Sequence, residues 1–174
     1  MEDLKNYIRS IPDFPKKGVR FYDITSLLEA PAGFKLALRC MEEYIVSRSA
    51  DKILAIESRG FIFGAALADR LNLPLAIVRK SGKLPGKTIC EEYELEYGTD
   101  RIEIHEEAIS KGQKIVIVDD LIATGGTLAA TCRLVEKLGG EVAGISAVVA
   151  LTFLPYAEKL EAYDYSYLIA YDSE

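Results

Sequence analysis

The sequence is poor in the side chains from which several common catalytic and metal sites are built. Its 174 residues include one histidine, His105, which excludes multi-histidine metal sites and any triad that needs more than one. The three cysteines, Cys40, Cys90 and Cys132, are odd in number and far apart in the chain. This spacing predicts free thiols in a reducing cytosol rather than a disulfide framework or a metal-binding pair.

Long apolar runs and an excess of basic residues are also missing. No apolar stretch approaches the roughly 20 residues that a membrane-spanning helix needs, and the polar start Met1-Glu2-Asp3 is unlike a signal peptide. The net charge is −6, from 21 basic and 27 acidic residues, which argues against nucleic acid as the main partner. We therefore expect one cytoplasmic domain over residues 1–174, with no membrane or nucleic-acid partner.

The most informative segment is the string IVIVDDLIATGGT at residues 115–127. Its four β-branched residues do not alternate with polar ones, which predicts a strand buried on both faces. Asp119 and Asp120 end that strand, where parallel α/β sheets bind their ligands. The loop of small residues that follows leads into a helical pattern, and this combination binds phosphate. Carboxylates beside a phosphate site suit a phosphorylated sugar, whose hydroxyls or bound divalent cation they can contact.

Two further motifs follow predicted strands in the same way. Glu57-Ser58-Arg59-Gly60 comes after a short apolar strand, and Arg59 could offer a forked positive charge to a diphosphate. The string RKSGKLPG at 79–86 holds three cations within five residues. Taken alone, that string fits either a solvated loop or a site for a diphosphate group.

The order of these elements predicts the fold class. The expected strands are 52–56, 74–78, 114–120, 142–151 and a strand near 165–170, and the expected helices are 2–9, 32–48, 61–71 and 127–138. Strands that alternate with helices indicate an α/β fold with an open, mainly parallel five-stranded sheet flanked by helices. The glycines of the 115–127 string match neither the Walker P-loop nor the Rossmann fingerprint.

The 115–127 string resembles the ribose- and phosphate-binding signature of the type I phosphoribosyltransferases. The resemblance implies that 5-phosphoribosyl 1-diphosphate (PRPP) is a substrate and that Asp119 and Asp120 bind its ribose hydroxyls. It implies Mg²⁺ as cofactor, bound mainly through PRPP and not by dedicated protein ligands, and a homodimer. The implied 5′-phosphate ligands are Ala123, Thr124, Gly125, Gly126 and Thr127, and the implied diphosphate ligands are Arg59, Arg79, Lys80 and Lys83.

Three other strings are similar to the adenine-using members of this family, and the resemblance spans residues 7 to 150. They are PDFPKKGVRFYDIT at 12–25, RKSGKLPG at 79–86 and YELEYG at 93–98. They imply a small N-terminal hood (about 1–30) over the base and a mobile active-site loop (about 80–100). The implied roles are Glu96 as acid/base at the purine imidazole nitrogen, Tyr97 beside the diphosphate, Phe21 and Leu121 on the two faces of the base, and the backbone of Arg20 and Tyr22 at its edge.

The implied activity is purine salvage, in which adenine and PRPP give AMP and diphosphate. Two alternatives remain open: transfer to a 6-oxopurine (hypoxanthine, guanine or xanthine), and a PRPP-sensing regulator without catalysis. A 6-oxopurine wants a hydrogen-bond donor at O6, often a lysine, and the loop offers no obvious one. A regulator would carry a basic nucleic-acid-binding face or an added domain, which an acidic chain of this length does not show.

Overall fold

The computed structural model describes residues 4–94 and 98–173 as a layered α/β structure. The strands are β1 (Arg9–Ile11), β2 (Phe21–Asp23), β3 (Lys52–Ile56), β4 (Leu75–Lys80), β5 (Thr88–Glu94), β6 (Thr99–His105), β7 (Lys114–Ile122), β8 (Glu141–Leu151) and β9 (Tyr165–Tyr171). The helices are a 3₁₀ helix at Leu4–Tyr7, α1 (Thr25–Glu29), α2 (Pro31–Ser47), α3 (Gly60–Leu71), α4 (Gly126–Lys137) and α5 (Tyr156–Leu160). Within these ranges no helix is both long enough and apolar enough to cross a membrane.

The main sheet has seven strands in the order β5-β6-β4-β3-β7-β8-β9. Strands β4, β3, β7, β8 and β9 are parallel to one another, as the sequence predicts. The predicted count of five was wrong, because the segment around 80–100 adds β5 and β6 as an antiparallel pair at the edge. Backbone pairing of Arg79 and Lys80 with Glu103 and Ile102 joins that pair to the parallel strands.

Strand β7 shows why an apolar run without alternation marks a central strand. Ile115 and Ile117 pack into the core beneath α4, while Val116 and Val118 pack into the core beneath α2 and α3. All four side chains are fully buried. Because helices cover both faces of the sheet, both sets of side chains must be apolar.

The N-terminal segment forms a separate two-stranded sheet, in which Ser10 pairs with Tyr22. The predicted helix over 2–9 was wrong beyond its first turn, since the 3₁₀ helix ends at Tyr7 and β1 begins at Arg9. The Arg9 guanidinium donates to Asp23 across the two strands, with Nη2 2.5 Å from Oδ2. We call residues 9–23 the hood sheet.

Candidate active site

Three of the predicted motifs meet at one edge of the sheet. Strand β3 pairs in parallel with β4 on one side and with β7 on the other. The segments that follow these strands therefore leave the sheet at the same edge. They are the 57–60 loop, the 81–87 loop and the 123–125 loop.

Asp119 and Asp120 lie near the carboxyl end of β7, which runs on to Ile122 and not to 120 as predicted. They form a buried pair of carboxyl groups, 9% and 5% exposed. The Asp120 N–H donates to Asp119 Oδ1 at 2.8 Å. Burial raises the pKa of both groups, and the Asp120 charge raises the pKa of Asp119 further, well above its ordinary value. Arg59 opposes this effect at Asp120, because its Nε lies 2.8 Å from Oδ2. Oδ2 is nevertheless buried without an aligned hydrogen-bond donor among the described residues.

Gly60 allows α3 to begin directly against the end of β7. A Cβ atom at Gly60 would lie 3.0 Å from both Asp119 Oδ1 and the Val118 carbonyl oxygen. No larger residue fits without moving one of these groups. The glycine that follows Arg59 is therefore needed to bring the arginine beside the acidic pair.

The loop after β7 enters α4 through two glycines with different requirements. Gly125 has φ +74°, a left-handed conformation that glycine adopts without strain. Gly126 begins α4, and a Cβ atom there would lie 3.2 Å from the Glu94 carbonyl oxygen. The first N–H groups of a helix lack intrahelical partners, so this 12-residue helix offers donors to a phosphate beside Thr124 and Thr127.

The four cations predicted to bind diphosphate each lie beside a carboxylate of the same chain. The pairs are Arg59–Asp120 (2.8 Å), Arg79–Glu57 (3.4 Å), Lys80–Asp100 (3.0 Å) and Lys83–Glu57 (2.5 Å). A diphosphate that entered this region would have to compete with these carboxylates for the cations.

Glu57 organises this region, although sequence reasoning gave it no role. Its side chain is 10% exposed and its Oε2 accepts a hydrogen bond of 2.9 Å from the Lys80 N–H. Burial alone would raise the pKa of Glu57, but bonds from Lys83, the Lys80 backbone and Arg79 lower it to about 2. The sequence feature that could have identified Glu57 is its position, since it is an acidic residue that directly follows a buried strand and lies two residues before Arg59.

Glu103 fixes the start of the 81–87 loop and was also missed. Its Oε1 accepts hydrogen bonds of 2.8 Å from the N–H groups of both Lys83 and Leu84. Although its burial raises the pKa, these backbone bonds hold the pKa of Glu103 below its ordinary value. The sequence feature that could have identified Glu103 is its place between Ile102 and Ile104 in the string RIEIH at 101–105.

The hood sheet places Phe21 and Tyr22 on different sides. Phe21 is half-buried, and the Arg59 guanidinium carbon lies 5.9 Å from its ring centroid. Tyr22 is 7% exposed and stacks on Tyr171, with ring centroids 3.6 Å apart. Its hydroxyl donates to the Ser173 carbonyl oxygen, so its ring packs into the core.

A cavity of about 780 Å³ lies between the hood turn and the segment after β8. Val19 and Arg20 line one side, Leu151 and Phe153 line the other, and Thr124 of the 123–125 loop contributes a polar group. This volume is within the usual range for small-molecule sites. Leu121 is partly buried against the core beneath α2 and α3, and its contact with a base stays a prediction.

Glu96 and Tyr97, the two residues predicted to be catalytic, lie outside the described residues. The adjoining β5 residues are described: the Tyr93 ring and the Glu94 carbonyl oxygen lie against Gly126 at the start of α4. The roles of Glu96 and Tyr97 stay predictions.

The comparisons with known proteins agree on one family. The family model described as "Phosphoribosyl transferase domain" matches residues 23–170. The adenine phosphoribosyltransferase of Thermotoga maritima is 54% identical over 169 residues, covering 97% of this chain and 98% of that protein. The crystal structure of adenine phosphoribosyltransferase from Thermoanaerobacter pseudethanolicus has a TM-score of 0.93 and 50% identity, with coverage of 98% and 99%.

A more distant solved structure shows what a relative binds. The Saccharomyces cerevisiae adenine phosphoribosyltransferase, complexed with an imino-altritol bisphosphate and adenine, has a TM-score of 0.89 and 38% identity. The match covers 96% of this chain and 97% of that chain. The chain belongs to the phosphoribosyl transferase family.

Proposed function

We propose that the protein transfers the 5-phosphoribosyl group of PRPP to adenine, giving AMP and diphosphate in purine salvage. One observation carries this proposal: the buried Asp119–Asp120 pair lies at the same sheet edge as the start of α4 and four cations. A sugar with a phosphate at one end and a diphosphate at the other matches that arrangement. Full-length relatives named adenine phosphoribosyltransferase support adenine as the acceptor.

The ribose would lie on the acidic pair and its 5′-phosphate on the loop into α4. Asp120 Oδ2 lies beside Arg59 but has no aligned hydrogen-bond donor among the described residues. It can accept a hydrogen bond from a ribose hydroxyl, and such charge-assisted bonds are strong. The phosphate would bind the N–H groups at Ala123, Thr124, Gly125, Gly126 and Thr127.

The cofactor Mg²⁺ is part of the proposal and would be held mainly through the oxygens of PRPP. Mg²⁺ keeps several waters and is usually bound through one or two carboxylates together with substrate phosphates. When bound, the ion would help to neutralise the charge on the departing diphosphate.

The main task of the protein's own residues would be electrostatic. As the bond from C1 to diphosphate breaks, negative charge grows on the leaving group and the ribose gains oxocarbenium character. The leaving group would be stabilised by four cations, Arg59, Arg79, Lys80 and Lys83. Binding the base over C1 would lower the entropic cost of bringing the two reactants together. Glu96 would exchange a proton with the purine imidazole, and closure of the chain over the bound substrates would exclude water.

The base would lie between Phe21 and Leu121, with its edge on the backbone of Arg20 and Tyr22. The buried Tyr22 ring supports recognition through the backbone, because the ring has no access to the cavity side. The full-length relatives named adenine phosphoribosyltransferase, and not the cavity lining, argue against the 6-oxopurine alternative.

The homodimer and the cytoplasmic location are also proposals. The exposed apolar side chains of Ile62 on α3 and Leu75 on β4, 42% and 39% accessible, would be covered in a dimer, which sedimentation velocity would detect. The free thiols of Cys40, Cys90 and Cys132 support a reducing compartment.

The test is to incubate the full-length protein with PRPP, Mg²⁺ and each purine base in turn. We expect AMP and diphosphate with adenine, and at least tenfold to a hundredfold lower efficiency with hypoxanthine, guanine or xanthine, because an unpaired polar edge costs about 1–3 kcal/mol. Equal turnover of hypoxanthine and adenine would contradict adenine specificity. PRPP binding without product from any base would favour the regulator.

A further inference from the structure

Among the cations of the diphosphate region, Lys80 has a partner on the neighbouring antiparallel strand. Its Nζ lies 3.0 Å from Asp100 Oδ2, with the two side chains 58% and 26% exposed. Lys80 ends β4 and Asp100 lies near the start of β6, which pairs with β4 through Lys80 and Ile102. The pairing of the strands therefore brings the two side chains together.

The Asp100 carboxylate is itself held in place by the β5-β6 pair. Its Oδ1 accepts a hydrogen bond of 2.8 Å from the Arg101 N–H, and its Oδ2 accepts one of 3.3 Å from the Tyr93 hydroxyl. Tyr93 is 9% exposed. A buried side chain of β5 and the backbone of β6 therefore hold the Asp100 carboxylate beside Lys80.

We propose that Asp100 is a positioning residue that competes with diphosphate for Lys80 and thereby weakens the binding of PRPP and diphosphate. The inference rests on the proposed function, which makes Lys80 a diphosphate ligand. An ammonium group engaged by a fixed carboxylate must exchange partners when a diphosphate binds, and it returns to the carboxylate when the product leaves. Asp100 therefore lowers the affinity and favours release.

Asp100 is a better place to test this exchange than Glu57. Glu57 binds Arg79, Lys83 and the Lys80 backbone together, so its removal would disturb the whole loop. Asp100 pairs with one of the four cations, Lys80. Asparagine at position 100 keeps the acceptor for the Arg101 N–H and removes the charge. Its amide nitrogen replaces Oδ2, so the Tyr93 hydroxyl also loses its acceptor.

The experiment compares Asp100→Asn with the parent protein by calorimetric titration of inorganic diphosphate with Mg²⁺, and by steady-state kinetics. We expect the Kd for diphosphate and the KM for PRPP to fall by about two- to fivefold, the range that exposed ion pairs usually contribute. The KM for adenine and the thermal midpoint stay the same. A merely structural role would move affinity in the opposite direction, because a disturbed site binds more weakly.

Two further variants separate action through Lys80 from a general change in charge. In a Lys80→Gln background, Asp100→Asn should leave diphosphate affinity unchanged. Glu92→Gln removes an equal charge from β5, where Glu92 pairs with Arg101 at 2.9 Å, and should not tighten binding. If Asp100→Asn lowers the thermal midpoint, Asp100→Ser replaces it in the same series.

The inference is overturned if Asp100→Asn leaves diphosphate affinity unchanged or weakens it, or if the tightening persists without Lys80 or appears with Glu92→Gln. Failure of the proposed function is seen separately, as a parent protein that forms no AMP. Diphosphate titration needs no turnover, so it still reports on Asp100 in that case.

Discussion

Arg59 and Asp120 lie side by side at the edge of the sheet, with Nε 2.8 Å from Oδ2. The arginine belongs to the predicted diphosphate motif and the aspartate to the predicted ribose motif, and the same guanidinium faces the Phe21 ring of the hood sheet. One side chain therefore contacts residues assigned to the sugar and to the base. The arrangement keeps two adjacent carboxyl groups buried, which opposes folding because burial favours their neutral forms.

Replacing Asp120 by asparagine should impair the use of PRPP without unfolding the protein. A charge-assisted hydrogen bond contributes roughly 1.5–3 kcal/mol, so we expect kcat/KM for PRPP to fall about tenfold to a hundredfold. The thermal midpoint should hold or rise, because the variant removes the repulsion between Asp119 and Asp120. Steady-state kinetics and thermal unfolding measure the two effects.

Asp51→Asn is a matched control, since Asp51 directly precedes β3 and lies beside the start of β7, at the opposite end of that strand from Asp120. The Asp51 Oδ2 accepts a hydrogen bond of 2.8 Å from the N–H of Lys114, where β7 begins. This change should leave PRPP kinetics as in the parent. Unchanged PRPP kinetics in Asp120→Asn would remove Asp120 from the site.

Two glycines of α3 should separate an effect on the site from an effect on stability. A Cβ atom at Gly60 would lie 3.0 Å from Asp119 Oδ1, whereas one at Gly64 would lie 2.5 Å from the Ala55 Cβ within the core. We expect Gly60→Ala to lower kcat/KM for PRPP at least tenfold. Gly64→Ala should destabilise the protein by about 1–3 kcal/mol while folded molecules keep their activity.

Chemical denaturation and kinetics on both variants distinguish the two effects. If Gly60→Ala kept full activity, the close approach of α3 to Asp119 would not be needed for function.

Much of the fold could be predicted from the sequence because the central strands differ chemically from their surroundings. The predicted strand at 52–56 matches β3, and the predicted helix at 61–71 lies within α3. Strand β5 was left in a mobile loop because its sequence, TICEEYE, is mostly polar. Its pattern of buried and exposed side chains arises only once one face packs on α4, and that packing is tertiary.

The sequence predicts the motifs of the candidate site, but it does not predict the contacts between residues that are distant in the chain. Asp119 and the glycines of the phosphate loop are neighbours in sequence, so their proximity needs no knowledge of the fold. The contact between Lys80 and Asp100 depends on strand β6 lying beside β4. The spacing of residues in the sequence does not indicate that β6 lies beside β4. Nor does it indicate that the Glu57 carboxylate contacts Arg79 and Lys83.

Acid should weaken the hood through Asp23. Its carboxylate accepts bonds from the Thr25 side chain, from Arg9 and from the Thr25 N–H, which lower its pKa from 3.8 to about 2. A lowered carboxyl pKa contributes stability that is complete above about pH 4 and is lost as the pH falls towards 2. Asp23→Asn should therefore cost about 1–2 kcal/mol at pH 7, and the difference from the parent should shrink below pH 4.

Urea denaturation at several pH values gives this difference directly. Glu43→Gln, at an exposed position of α2, is the control and should stay within about 0.5 kcal/mol of the parent throughout. A difference between parent and Asp23→Asn that is constant from pH 7 to pH 2 would mean that the carboxylate charge does not stabilise the hood.

Glu96→Gln tests the proposed proton exchange with the purine imidazole. General acid–base groups contribute about 10²–10⁴-fold, so turnover should fall by that factor while PRPP affinity changes little, because glutamine keeps the size of the side chain. Loop opening can limit the steady-state rate and hide a loss in the chemical step, so the rate is measured in a single turnover at saturating substrates. Glu92→Gln, four residues earlier on β5, is the control and should keep the parent rate. A Glu96→Gln rate within about threefold of the parent would leave catalysis to electrostatics and positioning alone.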